Sequence, residues 1–448
     1  MDNIAMTNLA NISSNHEFKM HTFGCKVNTY DTGLIQKNLK QNYIDGAEKS
    51  YIHVLNTCAV TAEATQQAVR LIRKIKADQP FSTVVVTGCA AQVDTDSFKN
   101  LAGVDLVVAN SHKGLLPQII DQYFKGEIKE KVFKSNIFRK DDLEMGGGLE
   151  AFHTRSFLKI QDGCNSFCTF CIIPYARGKS RSIPISMIVE RIKELELQHI
   201  KEVVLTGVHI GDYEDIISGK KYSLEDLIEN ILKHTCIGRI RLSSLEPLEI
   251  SERLLELYKN PRLCPHFHMS IQSANTDVLL QMKRKYTAED IKKSLNRIAN
   301  LIPQAFVGMD VIAGFATETD EQFENTYQVL SDLPWTRLHV FPYSERSGTK
   351  ASQLPQIHFS VRKERAARLR QLSLHRHQSE ALKQIGKFKS ILTMKNTSGN
   401  YDGLSGDYWS VKLKTSTAEP NTVMTVKIDD VSCRGSEIYL TGNPYVAI

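Results

Sequence analysis

The sequence predicts an α/β protein with parallel sheets in its first two domains and a small β-barrel at its carboxyl end. Its 448 residues suggest about three domains. Short apolar strands alternate with helical stretches up to Phe341, which is the pattern of parallel sheets covered by helices. After Phe388, short strands separated by Gly, Asn and Ser turns indicate the barrel.

The amino-terminal domain, predicted at residues 18–130, repeats a unit of one strand and one helix. Its strands and the helices that follow them are predicted at Phe18–Phe23 and Thr32–Gln41, Tyr51–Leu55 and Ala62–Ala77, and Thr83–Val86 and Asp94–Leu101. Right-handed crossovers make such strands parallel, so their carboxyl ends share one edge of the sheet.

Three cysteines lie at this predicted edge. Cys25, Cys58 and Cys89 each come shortly after one of the strands. Cysteines buried under a sheet are common, and this is the structural alternative. Because all three occupy the same position relative to a strand, we expect them to meet in one metal site with three thiolates.

A second group of three cysteines lies in one short segment. Cys164, Cys168 and Cys171 have the spacing C-x3-C-x2-C, which leaves one iron of a four-iron cluster without a protein ligand. The cysteines could instead form the apolar stripe of a helix, but Gly163 and Asn165 are poor helix formers. The spacing therefore favours a loop that holds an iron–sulfur cluster.

Disulfides and zinc are further alternatives for this segment. Three thiols leave one unpaired, and residues 1–18 lack the apolar core of a secretory signal, so disulfides are disfavoured. Zinc ribbons favour paired C-x2-C units, and only one such unit lies here. The spacing alone leaves zinc as a possible metal for these cysteines, but it favours an iron–sulfur cluster.

The middle domain is predicted at residues 151–380, after a linker at 131–150, as a partial barrel of parallel strands. Six strands are predicted at Arg155–Ile160, Glu202–Leu205, Arg239–Leu242, His266–Ile271, Ala305–Ile312 and Arg337–Phe341. Polar residues follow three of them, namely Thr206, Gly207, Ser243, Ser244, Glu246, Gln272 and Ser273. A turn or helix cap explains each one singly, but an α/β barrel keeps its site at these strand ends.

A basic helix precedes the carboxyl-terminal domain, which is predicted at residues 383–448. Residues 361–387 hold few carboxylates and many cations. The cations include Arg362, Arg365, Arg368, Arg370 and Arg376. This density predicts a polyanionic partner, and a plain charged linker is the alternative. The barrel strands are predicted at Phe388–Met394, Tyr408–Lys414, Val423–Ile428 and Glu437–Leu440. Tyr401, Tyr408 and Trp409 fit either stacking on bases or the barrel core.

Four motifs together carry a resemblance to a known family. They are Gly24-Cys25-Lys26-Val27-Asn28, Asn56-Thr57-Cys58-Ala59-Val60-Thr61, Gly88-Cys89-Ala90-Ala91-Gln92, and the segment 162–178. From about Phe18 to its end, the chain resembles the radical S-adenosylmethionine (SAM) methylthiotransferases. The first motif and Ile173-Pro174-Tyr175-Ala176-Arg177-Gly178 are most similar to the branch that modifies N6-threonylcarbamoyladenosine in tRNA. In this family the last domain is the RNA-binding TRAM domain.

The resemblance implies SAM and two [4Fe-4S] clusters as cofactors. Cys164, Cys168 and Cys171 would hold the cluster that binds SAM, and Cys25, Cys58 and Cys89 an auxiliary cluster that presents sulfur. The family positions near SAM correspond here to Phe170, Gly207, Ser243, Glu246 and Gln272.

The implied reaction is methylthiolation of carbon 2 of the modified adenine at position 37, in the anticodon stem-loop of tRNA. Arg177, Arg181 and Arg284 are cations near the expected site and are candidates to contact the RNA. An electron donor such as flavodoxin or ferredoxin is the other expected partner. The alternatives are a sister enzyme acting on isopentenyladenosine or on an aspartate of a ribosomal protein, and a non-catalytic RNA-binding protein containing zinc.

Two segments depart from the family pattern. Ala316-Thr317-Glu318 stands where the family commonly has Pro-Gly-Glu, and so lacks a glycine that allows close backbone approach. Thr32-Gly33 stands where the family often has Ser-Glu.

Net charge and hydropathy add little to this assignment. A net charge of +6 permits a nucleic-acid partner without requiring one. No apolar run approaches the roughly 20 residues of a membrane helix, so we expect a cytoplasmic protein with no membrane partner.

Overall fold

The structure, a computed structural model, describes residues 16–46, 51–140, 154–394, 402–414 and 418–445. It contains three successive groups of elements that match the predicted fold class. The domain boundaries remain a prediction, and residues 141–150 of the predicted linker lie outside the described residues.

The amino-terminal group is one parallel sheet with helices on its faces. Its strands, in the order β2-β1-β3-β4-β5-β6, are β1 (Glu17–Thr22), β2 (Ile44–Asp45), β3 (Ile52–Thr57), β4 (Thr83–Gly88), β5 (Leu106–Ala109) and β6 (Val132–Phe133). Its helices are α1 (Lys26–Leu39), α2 (Ala62–Asp78), α3 (Cys89–Val93), α4 (Thr95–Lys99) and α5 (Leu116–Phe124). Every residue of β3 and β4 is buried, as expected for central parallel strands.

The middle group is the predicted partial barrel. Its strands are β7 (Arg155–Lys159), β8 (Gln161–Asp162), β9 (Arg181–Ser182), β10 (Glu202–Thr206), β11 (Asp215–Ile217), β12 (Lys220–Tyr222), β13 (Arg239–Leu242), β14 (Ser244–Leu245), β15 (His266–Gln272), β16 (Phe306–Ala313) and β17 (Arg337–Pro342). Its helices are α6 (Ile173–Arg177), α7 (Ile185–Leu197), α8 (Leu224–His234), α9 (Glu252–Leu257), α10 (Thr276–Gln281), α11 (Ala288–Leu301), α12 (Asp320–Asp332) and α13 (Phe359–Leu382).

Six parallel strands form the wall of this barrel, with the nearly continuous β13 and β14 counted as one. One sheet has the order β13-β10-β7 and the other β14-β15-β16-β17. Ser243 alone separates β13 from β14, so the chain passes from one sheet directly into the other. The carboxyl ends of all these strands therefore face the same side, where the sequence predicts the site.

The carboxyl-terminal group is a closed five-stranded barrel in the order β18-β19-β20-β22-β21. Its strands are β18 (Phe388–Thr393), β19 (Gly403–Ser405), β20 (Ser410–Leu413), β21 (Val423–Arg434) and β22 (Glu437–Pro444). The short β19 was not predicted, because three residues are too few to show an alternating pattern.

The aromatic residues expected as stacking surfaces for bases lie in the core or between domains. Trp409 is 3% exposed and belongs to the core of the barrel. The ring of Tyr408 stacks on His266 of β15, with 4.0 Å between the centroids. Both are therefore structural, and Tyr401 lies outside the described residues.

The basic helix α13 uses its arginines for contacts within the protein. Arg362 and Arg365 are each 5% exposed, and the Arg365 guanidinium pairs with Glu318 at 2.8 Å. Arg376 donates to the carbonyls of Ser331 and Leu333, and Arg368 pairs with Glu324. Arg362, Arg365 and Arg376 are therefore occupied within the protein, whereas the Arg368 side chain is 40% exposed, and a polyanion-binding face stays a prediction. Among the described residues, no helix combines the length and the apolar composition needed to cross a bilayer.

Buried arginines join the barrel of the middle domain to the carboxyl-terminal barrel. Arg241 on β13 pairs with Glu202 at the start of β10, at 2.8 and 3.1 Å. Its guanidinium also donates to the carbonyls of Gly406 and Ser405. Neighbouring Arg239 donates to the carbonyls of Leu404 and Ser390.

Replacing Arg241 by Met should destabilise the protein strongly. The change leaves Glu202, which is 0% exposed, with only the more distant guanidinium groups of Arg155 and Arg239 at 3.6 and 3.8 Å. Breaking a buried ion pair costs about 3 to 5 kcal/mol, and we expect the free energy of unfolding to fall by that amount in denaturant titrations.

The matched control is Arg253→Met, which removes the exposed pairs with Asp226 and Glu229. Exposed pairs of this kind contribute at most about 1 kcal/mol. Equal losses in the two variants would show that the Arg241 contacts do not stabilise the fold.

Candidate active site

The three amino-terminal cysteines meet at the carboxyl edge of the first sheet, as the sequence predicts. Cys58 directly follows β3, and Cys89 directly follows β4 as the first residue of α3. Cys25 comes just after β1 and precedes α1. All three line one cavity of about 470 Å³.

Glycines precede two of these cysteines and allow neighbouring segments of the chain to pack closely around them. Gly24 and Gly88 have φ angles of 93° and 96°, which side chains rarely adopt. A Cβ atom on Gly24 would lie 2.6 Å from the Cys58 sulfur, and one on Gly88 would lie 2.4 Å from the carbonyl oxygen of Thr57. Glycine is therefore required where β1 and β4 turn toward the cavity.

The environment of the Cys58 thiol favours its neutral form in the absence of a bound cation. Burial and the neighbouring thiols of Cys89 and Cys25 raise the pKa of Cys58 to about 12. A metal deprotonates the thiols that it binds, and three converging sulfurs suit an iron–sulfur cluster or zinc. The residues present therefore fit a metal group.

The same cavity is also lined by the strand ends of the middle domain. These residues are Thr206, Gly207, Val208, Ser243, Ser244, His268 and Asp310, together with Ile173 and Arg177 from the loop region. The hydroxyl of Ser243 is buried and has no hydrogen-bond partner among the described residues. Because buried hydroxyls are normally paired, this orphan hydroxyl indicates a ligand in the cavity.

The loop with the other three cysteines is fixed by backbone hydrogen bonds at both ends. The amide of Cys164 donates to the carbonyl of Gly178 at 3.1 Å. The amide of Thr169 donates to the carbonyl of Met282, and its own carbonyl accepts from Ala351. These bonds place the loop beside the ends of α6 and α10.

Arg284 contacts one of the loop thiols directly. Its Nη1 lies 3.1 Å from the sulfur of Cys168, and its Nη2 pairs with Glu246 at 2.7 Å. Burial raises the pKa of Cys168 although Arg284 opposes the shift, and burial with the neighbouring thiols raises that of Cys171 to about 12. The donor set of three thiols beside a cation fits an anionic iron–sulfur group.

His209 is a residue of this site that the sequence analysis missed. Its Nδ1 lies 3.9 Å from the sulfur of Cys164, and its Nε2 contacts Glu249 at 2.5 Å and Glu246 at 3.4 Å. Against its burial, Asp212, Cys164 and Glu249 raise the pKa of His209. The signal that could have found it is its place just after the polar end of β10.

The other predicted cofactor residues are spread around the barrel mouth. Gly207 and Ser243 line the cavity that holds the amino-terminal cysteines, whereas Phe170, Glu246 and Gln272 are not in that lining. Phe170 packs against a small apolar cluster around Phe315 and Tyr343. Gln272 has a φ of 64° at the register shift between β15 and β16.

The three arginines proposed as RNA contacts are engaged within the protein. Arg177 is 3% exposed and bonds to Asp162, Asp31 and Asn28. The guanidinium of Arg181 donates to the carbonyls of Lys140 and Arg177. Arg284 lies against Cys168, so all three arginines have contacts within the protein, and their contact with RNA stays a prediction.

Arg177 belongs to a buried ion network, defined here as Asp31, Lys113, Lys159, Asp162 and Arg177. Asp31 on α1 accepts from Lys113 at 2.9 Å, from Lys159 at 2.6 Å and from Arg177 at 3.0 Å. Asp162 accepts from Lys159 at 3.2 Å and from Arg177 at 2.9 Å. The network connects the first sheet domain to the barrel next to both groups of cysteines.

Thr317 stands where the family commonly has glycine, and its backbone has a conformation that glycine adopts easily. Thr317 has a φ of 67°, and its hydroxyl donates to the Gln281 side chain at 2.8 Å. A residue with a Cβ at such an angle costs roughly 1 to 2 kcal/mol. The local turn is thus retained without the glycine.

The Radical SAM superfamily matches residues 158–330, and an uncharacterized protein family, UPF0004, matches residues 17–109. A solved radical S-adenosylmethionine methyltransferase, TsrM from Kitasatospora setae with cobalamin and a [4Fe-4S] cluster bound, is similar with a TM-score of 0.53. It is 13% identical, and the alignment covers 76% of this chain and 77% of that one. The fold, the three-cysteine loop and the superfamily match define a radical SAM enzyme, a class that uses SAM and a [4Fe-4S] cluster.

Curated relatives narrow the class. The threonylcarbamoyladenosine tRNA methylthiotransferase MtaB of Rickettsia prowazekii is 37% identical, over 88% of this chain and 90% of that protein. The MtaB of Aquifex aeolicus is 39% identical, over 82% of this chain and 90% of that protein. A tRNA-2-methylthio-N(6)-dimethylallyladenosine synthase of Staphylococcus epidermidis is 29% identical over 92% of this chain and 82% of that protein. The chain belongs to the radical SAM methylthiotransferase family, in its threonylcarbamoyladenosine tRNA branch.

Replacing Asp31 by Asn should destabilise the fold in a pH-dependent way. The change leaves three buried cations with one carboxylate, which we expect to lower the free energy of unfolding by about 3 kcal/mol at pH 7. Lys113, Lys159 and Arg177 outweigh burial and hold the pKa of Asp31 well below its ordinary value of 3.8. Its contribution is therefore complete above pH 3.8 and is lost as the pH falls toward the lower folded-state pKa.

Denaturant titrations at several pH values measure this difference between the native protein and the variant. It should be constant above about pH 5 and narrow below about pH 4. Asp45→Asn, which removes the exposed pair with Lys40 at 2.8 Å, is the control and should change stability by less than about 1 kcal/mol. A gap that widened in acid would contradict the assigned charge state.

Proposed function

We propose that the protein methylthiolates carbon 2 of N6-threonylcarbamoyladenosine at position 37 of tRNA, giving 2-methylthio-N6-threonylcarbamoyladenosine. The observation that carries this proposal is the shared cavity, in which Cys25, Cys58 and Cys89 face the strand ends of the radical SAM barrel. The names of the relatives supply the substrate class, and those named for threonylcarbamoyladenosine are more similar than those named for dimethylallyladenosine. The sister reactions are therefore not favoured.

Cys164, Cys168 and Cys171 are the proposed ligands of the [4Fe-4S] cluster that binds SAM. When bound, such a cluster would supply the electron that divides SAM into methionine and a 5′-deoxyadenosyl radical, and this radical would take the hydrogen from carbon 2 and leave as 5′-deoxyadenosine. Arg284 holds a positive charge against the Cys168 sulfur, and Glu246 orients Arg284 from its other side. Ser243 has a hydroxyl available to bind the cofactor, and Gly207 lines the same cavity.

Cys25, Cys58 and Cys89 are the proposed ligands of a second cluster. A cluster held there would supply the sulfur of the methylthio group, and a second SAM molecule would supply its methyl group. Cys25, Cys58 and Cys89 share their cavity with residues of the barrel that carries the proposed radical site, which supports transfer of sulfur to a substrate bound in this cavity. Arg177, which pairs with carboxylates on one side and lies near Cys25 and Cys89 on the other, fixes the distance between the two domains.

The partners follow from this reaction. The substrate is tRNA, contacted through its anticodon stem-loop, with the TRAM-like barrel as a proposed second RNA contact. Flavodoxin or ferredoxin is the proposed electron donor, and the cytoplasm, where tRNA is modified, is the proposed location. We also propose that the three domains span residues 18–130, 151–380 and 383–448.

Substitution of each cysteine set should separate two activities. Cys164→Ala, Cys168→Ala and Cys171→Ala together should abolish reductive cleavage of SAM and leave the second cluster, so iron should fall from about eight to about four atoms per chain. Cys25→Ala, Cys58→Ala and Cys89→Ala together should keep SAM cleavage and lose the methylthio product. Anaerobic iron analysis and assays of 5′-deoxyadenosine measure both.

Each outcome has a clear contrary result. A loop variant without any iron would argue against two separate sites. Formation of product by the strand-end variant would exclude its role in sulfur transfer. Stoichiometric zinc in the anaerobically purified protein would favour the non-catalytic alternative.

Mass analysis of tRNA nucleosides tests the substrate. Cells without this gene should lose 2-methylthio-N6-threonylcarbamoyladenosine and accumulate its precursor without the methylthio group. Return of the product with the native gene, but not with either cysteine variant, is the expected result. Loss of the isopentenyl counterpart instead would identify the sister activity.

A further inference from the structure

Lys26 is a cation in the active-site cavity that the reaction described above does not use. It lines the cavity beside Cys25, at the first residue of α1, and is partly buried. No carboxylate among the described residues pairs with its ammonium group, and no hydrogen bond from it is recorded within that part of the chain. The other cation of the lining, Arg177, is bonded to Asp31 and Asp162.

The charge of Lys26 acts on the interior of the barrel. Burial and His268 lower the pKa of His339 to about 4, and Lys26 contributes to the same shift. Lys26 also contributes to the lowered pKa values of His266, which burial dominates, and of Tyr408. These three side chains lie on or against the strands β15 and β17, so the positive charge is felt inside the barrel.

The lining carboxylate, Asp310, lies close to His268 and Ser270 and forms no ion pair with Lys26. Its Oδ1 lies 2.8 Å from Nε2 of His268, and its Oδ2 accepts from the Ser270 hydroxyl at 3.4 Å. Lys26 therefore has no carboxylate partner among the described residues of this cavity wall. A cation that loses water without gaining a partner is costly, so a ligand that fills this cavity needs an anionic group at Lys26.

We propose that Lys26 forms the subsite for the carboxylate of the threonylcarbamoyl group on the target adenine. This proposal rests on the proposed function, because it names the residue that recognises that substrate. The threonylcarbamoyl group ends in a carboxylate and a hydroxyl, whereas the dimethylallyl group is a hydrocarbon. The cavity volume of about 470 Å³ is within the range of roughly 300 to 1000 Å³ that small-ligand sites occupy.

The charge gives selectivity as well as affinity. A site built to bind a charged group rejects an analogue that lacks it, because the buried partner is left unpaired. With a dimethylallyl group in the cavity, Lys26 would be desolvated against hydrocarbon. Lys26 thus determines specificity and takes no part in bond breaking.

Binding of two anticodon stem-loop RNAs tests the subsite. One RNA carries N6-threonylcarbamoyladenosine at position 37, and the other carries its methyl ester, which lacks the negative charge and has one additional methyl group. The native protein should bind the acid about 10 to 100 times more tightly than the ester, the range expected for one charge-assisted hydrogen bond. Lys26→Gln should bind both RNAs equally, and Lys26→Arg should restore the preference.

Lys37→Gln is the matched control, because Lys37 lies on the same helix α1 and is exposed outside the cavity. It should keep the full preference for the acid, which excludes a general effect of net charge on RNA affinity. Equal iron content in all four proteins shows that Lys26 variants keep the metal sites. A preference for the acid that survives in Lys26→Gln would overturn the proposal.

The carboxylate of SAM is the other possible source of an anion at Lys26. Equilibrium binding of SAM without RNA separates the two sources, and we expect the native protein and Lys26→Gln to bind SAM with equal affinity. Weaker SAM binding together with an unchanged preference for the acid RNA would assign Lys26 to SAM and overturn the proposal.

Failure of the proposed function has a different signature. If the native protein makes no methylthio product from the threonylcarbamoyl RNA, both the function and the subsite are wrong. If it makes product equally well from the acid and the ester, the function stands and the subsite is wrong.

Discussion

The active site depends on a buried ion network between the first sheet domain and the barrel. Asp31 comes from α1, Lys113 from the segment after β5, and Lys159, Asp162 and Arg177 from the barrel side. Each charge is taken out of water, which is expensive unless the geometry satisfies it. The arrangement is stable only when the two domains meet in one relative position, so the network selects that position.

This selection has an electrostatic consequence for the cysteines. Three cations share two carboxylates, and the remaining positive charge lies on the side of Cys25 and Cys89. The raised pKa of Cys58 shows that burial alone disfavours a thiolate at this edge. The excess cationic charge offsets part of that penalty, so docking of the domains also prepares the sulfurs to bind a metal.

The sequence predicted the parts of the site that follow from periodicity and local spacing. The strand ends at Cys25, Cys58 and Cys89 could be located because buried parallel strands have a simple pattern and a fixed handedness of connection. Contacts between charges that are distant in the sequence could not be predicted. The sequence around Arg177 and the arginines of α13 does not show whether these side chains are exposed or buried. His209 was missed for the same reason, since only the folded barrel brings it to Cys164 and Glu249.

The position of the carboxyl-terminal barrel determines how long an RNA must be to contact both this barrel and the cavity. Arg239 and Arg241 fasten this barrel near the amino ends of the parallel strands, whereas the cavity opens at their carboxyl ends. The five residues of β10 between these ends correspond to roughly 16 Å. An isolated nucleoside reaches only the cavity, so a ligand must be at least several nucleotides long to bridge the two ends.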